Sequence, residues 1–218
     1  MNPEDVAKYL EQNPDFLVKH GELFSRLAVP HPQHEGQVIS LGERQQHALR
    51  DKIRQLEAKL AELIAFGEEN DEISEKVHRL ALALLEAGRF DVVRQALIGS
   101  LQEDFAVPHV ALRLWGGAMG RAETEFMAVS EAAREYAESL RHPHCGTPDN
   151  LEVLAWFGEA ALHVRSVALV PLRRHGQVFG LLALGSAEGE RFYPGMGTLY
   201  LGRIGELAAA ALLCEIST

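Results

Sequence analysis

Ten positions at helical distances run through the first half of this chain: Ile53, Leu56, Leu60, Leu63, Phe66, Asn70, Ile73, Val77, Leu80 and Leu84. The steps between them are 3, 4, 3, 3, 4, 3, 4, 3 and 4, one face of an α-helix held for about nine turns. Nine of the ten are apolar. Burying each is worth ~1.5–3 kcal/mol, so leaving them in water forfeits roughly 13–27 kcal/mol gross. That exceeds the ~5–15 kcal/mol net stability of an ordinary domain. The face must pack against something. The expectation is a second copy of the chain, which makes these ten residues the predicted dimer interface of a homodimer with a coiled-coil-type helix.

Ser40-Leu41-Gly42-Glu43 has the S-x-x-E form of a capping box and predicts the start of that helix. No proline intervenes from there to Glu86, a run of roughly 70 Å if unbroken. Two consecutive steps of three around Leu63 and Phe66 overwind a coiled coil or mark a bend, and Gly67 weakens the helix at the same place. Asn70 on the seam reads in two ways. It either fixes register between two strands or caps a helix that ends near Gly67. Lys52 and Glu57 would attract across a parallel pair, Arg50 and Glu57 across an antiparallel one, so direction stays open.

A hydrophobic content of 47% with 24% charged residues excludes a disordered chain, and 218 residues make one or two domains. The net charge of -10 argues against nucleic acid as the main partner, because phosphate binding draws on clustered Lys and Arg. Cys145 and Cys214 are too few for a disulfide scaffold and read as free thiols of a reducing compartment. The acidic start Met-Asn-Pro-Glu-Asp is no signal peptide, and the longest apolar run, Leu207 to Cys214, is too short to span a membrane. The expectation is a cytoplasmic protein with no membrane partner.

Asn2-Pro3-Glu4-Asp5 and Asn13-Pro14-Asp15 both carry helix-start signals, and they lead into Val6, Tyr9, Leu10 and then Phe16, Leu17, Leu23, Phe24 and Leu27. Val29 to Gln37, with Pro30, Pro32 and Gly36, reads as a loop. Beyond Gly88, Asp91 is expected to cap a helix through Leu101. Val107 to Trp115 alternates, with Val110, Leu112 and Leu114 opposed to Ala111, Arg113 and Trp115, and predicts a half-buried strand. Phe126 to Val129 reads as a second strand and Ser130 as the cap of a helix to about Leu140. Ser166–Leu172 and Val178–Ser186 flank a glycine turn as a central β-hairpin. A last helix follows Pro194. Its Gly202, Gly205 and Ala208 to Ala211 would let another helix approach and join a four-helix bundle. The predicted fold class is α+β, an antiparallel sheet flanked by helices and preceded by short helices and one long one.

Several motifs bear a family likeness. Asn13-Pro14-Asp15-Phe16, Pro30-His31-Pro32, Ser40 to Gln45, Gly180 to Ser186 and Arg191 to Thr198 resemble the bacterial domain-of-unknown-function family 484 nearly end to end. The resemblance implies a GAF-like domain behind an N-terminal helical segment, with no established activity and no catalytic residues to carry over. It divides the chain into short helices (1–39), a long dimerisation helix (40–74) and a GAF-like domain (75–218). GAF domains in general are small-molecule sensors and dimerisation modules, an analogy of fold alone.

His142-Pro143-His144-Cys145 gathers metal-ligand side chains, but the residues are nearly consecutive, and a fourth ligand such as His163 or His175 would have to come from elsewhere. No metal site is assigned, and cofactors are left unknown. Arg113, Trp115, Phe126, Trp156, Phe157 and Phe179, with His144 and Cys145, are the candidate pocket for a planar or anionic ligand. The alternative is that the aromatics are sheet core. Three functions follow. The leading one is a non-catalytic regulatory or adaptor module that homodimerises and senses a small molecule or a protein partner. The others are a thiol-dependent redox enzyme, resembling the methionine sulfoxide reductases of the GAF fold and using Cys145, and a purely structural dimeric scaffold. No Ser-His-Asp arrangement, paired-carboxylate signature or dinucleotide fingerprint is present in the sequence. Ligand identity and pathway are not written in it.

Overall fold

A computed structural model describes the backbone of residues 2–30, 38–115 and 123–216, with side chains at all of these except 17, 24, 25, 28–30, 38–41 and 216. The chain divides into two compact units, Met1–Glu68 and Glu69–Thr218.

In the first unit α1 (Pro3–Gln12), α2 (Asp15–Lys19) and α3 (Glu22–Arg26) follow one another. Asp5 Oδ2 accepts the Asn2 backbone N–H at 3.1 Å, the N-terminal signature that Asn-Pro-Glu-Asp announced. The Tyr9 and Phe16 rings meet edge-on at 5.8 Å, which ties α1 to α2. No residue of α1 is buried. The stretch expected to be a loop is bounded instead by two short antiparallel strands, β1 (Ala28–Pro30) and β2 (Val38–Ser40); its residues 31–37 lie outside the described ones. The long helix α4 (Leu41–Glu86) begins at the predicted place. The side chain of its expected cap, Ser40, is outside the described residues. Helical structure continues through Gly67 and Asn70, so Asn70 is not a cap; its carbonyl accepts the Tyr200 hydroxyl at 3.0 Å.

The second unit holds the end of α4, then α5 (Phe90–Glu103), β3 (His109–Leu114), α6 (Glu131–Ser139), β4 (His144–Gly146), α7 (Leu151–Ala155), β5 (Ser166–Arg174), β6 (Gln177–Ser186) and α8 (Leu199–Ile216). The sheet order is β3-β6-β5-β4, with every pair antiparallel. The hairpin turn is His175-Gly176 with φ of 48° and 89°, the left-handed pair that a two-residue turn between twisted strands demands. Side chains of β3 alternate as predicted. Val110, Leu112 and Leu114 join the core under α4, α5 and α8, while Ala111 and Trp115 join a second core on the opposite face.

The seam of α4 divides. Val77, Leu80 and Leu84 are 8%, 1% and 5% exposed inside the chain's own core, with Ile73 packed against it. They are therefore removed from the predicted dimer interface, because the sheet and α5 already cover them. Ile53, Leu56, Leu60, Leu63 and Phe66 stay more than half exposed. The small residues of α8 also serve inwardly. A Cβ on Gly205 would lie 2.5 Å from Val170 Cγ1, so this glycine lets α8 close on β5 rather than on another helix.

Two local expectations need correction. Residues 126–129 form no strand. Thr124–Phe126 is a 3₁₀ turn whose bonds stay local, Phe126 N to Glu123 O at 3.0 Å and Met127 N to Thr124 O at 3.2 Å. The Phe126 ring is drawn instead to Phe90 of α5, 5.1 Å away. Helix α5 starts at Phe90, so Arg89 stands at the cap and Asp91 serves the first turn, paired with Arg89 at 3.3 Å. Ser130 does cap α6, its Oγ accepting Ala133 N–H at 3.1 Å.

Candidate functional site

The sheet face away from α5 and α8 is covered by the chain itself. Ala137, Val153, Val164, Leu169, Leu181 and Ala183 are buried there, with Tyr136, Leu140, Leu154, Trp156 and Phe157 packed on them. Arg113 is 8% exposed beneath this layer. Its Nη1 donates to the Leu112 carbonyl at 2.9 Å, and its guanidinium lies 5.4 Å from the Trp156 ring centroid. Burial lowers its pKa and the Glu125 carboxylate opposes that shift. Glu125 is itself buried and meets Arg94 at 3.4 Å. The guanidinium is thus held against a carbonyl and an indole face within the covered layer. Trp115 is fixed as well, its indole N–H donating to the Val178 carbonyl at 3.1 Å.

The predicted pocket residues do not assemble on one side. Trp115 and Phe157 lie in the layer just described, with Phe157 against Gly185, where a Cβ would meet the ring at 3.1 Å. Cys145, Phe126 and Phe179 belong to the core on the other face, beneath the helices. His144 sits on the edge strand, paired with Leu169. The sheet separates two groups that the sequence had placed together, so the aromatics are core. Among the described residues no three His, Cys, Asp or Glu converge to hold a metal ion. An open cleft of about 940 Å³ beside α6 is lined by Trp115, Arg134 and the carboxylates Glu131, Glu135 and Glu138.

Other side chains brace this layer. Glu152 of α7 accepts from the Ser130 backbone N–H at 3.0 Å and from the Ser130 hydroxyl, tying α7 to the start of α6. Tyr136 donates its hydroxyl to Asp149 Oδ1 at 3.2 Å, and burial, then the Asp149 charge, pushes its pKa up to about 12. The Arg191 guanidinium donates to the Phe105 carbonyl at 2.6 Å and fastens the loop before α8 to the end of α5.

Cys145 is 6% exposed in the helix-side core, and burial pushes its thiol pKa up. A redox or nucleophilic cysteine needs the opposite, an accessible and stabilised thiolate. Cys214 is exposed on α8. Labelling the native protein with an aromatic disulfide at about pH 8 is expected to modify Cys214 promptly and Cys145 only after unfolding. Prompt labelling of Cys145, located by peptide mass, would show that the site is open and the thiol reactive.

Comparison with known proteins sets this geometry in context. The family described as "Protein of unknown function, DUF484" matches residues 1–213. No functionally curated protein matches the sequence. The chain is similar to the GAF domain of Acinetobacter phosphoenolpyruvate-protein phosphotransferase at 10% identity and a TM-score of 0.50, covering 64% of this chain and 92% of that one. It is also similar to the A. aeolicus nlh2 GAF domain (13% identity, TM-score 0.46, 66% and 98% covered). A third similar structure is the free methionine-R-sulfoxide reductase of Neisseria meningitidis (15% identity, TM-score 0.46, 64% and 87% covered). At these identities the likeness is one of fold alone. No helix of the described residues is long and apolar enough to cross a membrane.

Proposed function

The chain belongs to the DUF484 family, and from that premise we propose that it is a non-catalytic regulatory or adaptor protein that homodimerises through the first part of α4. The observation that carries this reading is the unequal treatment of one helix. Leu49, Ile53, Leu56, Leu60, Leu63, Ile64 and Phe66 are each 51–66% exposed, although Val77, Leu80 and Leu84 further along are buried. Scattered exposed leucines are ordinary, but seven on one helix within eighteen residues form a patch that calls for a partner. In a dimer both stripes are covered, which gives on the order of 10–20 kcal/mol gross against about 4–15 kcal/mol lost on association. The balance favours pairing.

The buried thiol of Cys145 and the burial of Arg113 beneath Trp156 argue for an adaptor over a redox enzyme or a sensor at the predicted pocket. The amphipathic α1, with no buried residue in the single chain, is then the surface left for a protein partner. Sedimentation equilibrium tests the dimer. The full chain at micromolar concentration is expected to show twice its 24.0 kDa mass. A Leu56→Glu/Leu63→Glu double variant is expected to show the single-chain mass with its second unit still folded. A wild-type chain that stays monomeric at tens of micromolar would refute the proposal.

A further inference from the structure

A second concave surface lies in the Glu69–Thr218 unit, on the helix side of the sheet, and none of the predicted pocket residues lines it. It is a groove of about 440 Å³ between α8 and the β5–β6 hairpin, within the size range of small-molecule sites. Val170 and Pro171 form its floor, and Gly202, Gly205 and Ala209 of α8 form a wall with little side chain. Its rim carries Arg141, Arg173 and Arg174, with His142 and His175 beside them and Glu206 as the one acid of the lining.

Two features separate this rim from a chance scatter of surface charge. The chain carries a net -10, yet three arginines border one groove whose lining holds a single acid. One of the arginines is also fixed in place. Arg173 donates to the carbonyls of Gly176 and Leu140, each at 2.8 Å, and so clamps the hairpin turn against the segment that carries Arg141 and His142. The side chains of Arg141, His142 and His175, by contrast, make no hydrogen bond or ion pair among the described residues. Arg173 meets Glu138 at 3.7 Å, whereas Arg141 has no such acid among the described residues, and the apolar walls focus the arginines' field into the groove. An anion with an apolar body would pair with Arg141 and fill the groove.

We infer that this groove binds a small amphipathic anion, a carboxylate or phosphate ester carried on an apolar body. The inference does not rest on the dimer and could hold for a monomer.

Glycine supplies a clean test. A Cβ on Gly202 meets nothing within 4 Å, so Gly202→Leu is expected to project into the groove while improving helix propensity. Isothermal titration of the full chain would use 4-phenylbutyrate, phenyl phosphate and the uncharged 4-phenylbutanamide. At least one anion is expected to bind below roughly 1 mM, and the amide about tenfold more weakly or not at all. Gly202→Leu and, separately, the surface change Arg141→Glu are each expected to weaken the anion about tenfold, with thermal melting unchanged or raised. Binding of the carboxylate alone or the phosphate alone supports the site and identifies the headgroup. Absence of binding by both anions, equal binding of the amide, or full affinity in either variant overturns it.

Discussion

Leu80→Ala is expected to lower the unfolding free energy of the Glu69–Thr218 unit by about 2–5 kcal/mol, while Leu60→Ala, twenty residues earlier on the same helix, leaves that unit's stability nearly unchanged. The two leucines share an element, and both lie on the 3–4 seam. They differ in surroundings. Leu80 is 1% exposed amid the core built from α5, the sheet and α8, so truncation removes buried methyl groups and leaves a cavity. Leu60 is 59% exposed in the single chain, so its loss registers only where a second copy covers it. Urea unfolding at several protein concentrations separates the two effects. The Leu80→Ala midpoint should fall by a similar amount at every concentration, and the Leu60→Ala change should appear as weaker self-association. If Leu80→Ala unfolded like the wild type, the division of the seam would be wrong. If Leu60→Ala destabilised the second unit as strongly, the stripe would be packed within the chain and no dimer would be required.

That pair of residues also shows where sequence reading stops. Spacing of three and four identifies the face a helix buries but not what covers it, because Leu60 and Leu80 lie on one continuous seam. Local features were legible where neighbours along the chain decide them. The alternation of β3 told its two faces apart correctly, His175-Gly176 marked the hairpin, and Ser130 marked the start of α6. The candidate pocket failed because its members come from separate segments. Whether Phe126 or Cys145 lies above or below the sheet depends on a 3₁₀ turn and on the pairing of β4 with β5, and neither is set by adjacent residues. The cationic groove was missed for the same reason. Arg141, Arg174 and Glu206 meet only after the hairpin and α8 have packed. The glycines of α8 were noticed as a sign of close approach, but the approaching element proved to be β5.

Gly180→Ala and Gly99→Ala are expected to move stability in opposite directions, although the chemical change is identical. On Gly180 a Cβ would stand 2.7 Å from Leu114 Cδ2 and 2.8 Å from the Arg113 carbonyl oxygen. The side-chain contact could be relieved by a rotamer change. The carbonyl could not, because β3 is held to β6 along a ladder in which Leu114 pairs with Gly180 itself. Opening that ladder exposes backbone groups and shifts two buried layers, so a loss of about 1–3 kcal/mol is expected. On Gly99, within α5, an added Cβ meets nothing within 4 Å, and alanine restricts the unfolded chain while favouring the helix. A gain of about 0.5–1 kcal/mol follows. Paired urea titrations of the two variants read both signs against the wild type. A neutral Gly180→Ala would mean that β3 and β6 can separate at low cost, and the rigid two-sided sheet that keeps Arg113 and Cys145 apart would lose its main physical support.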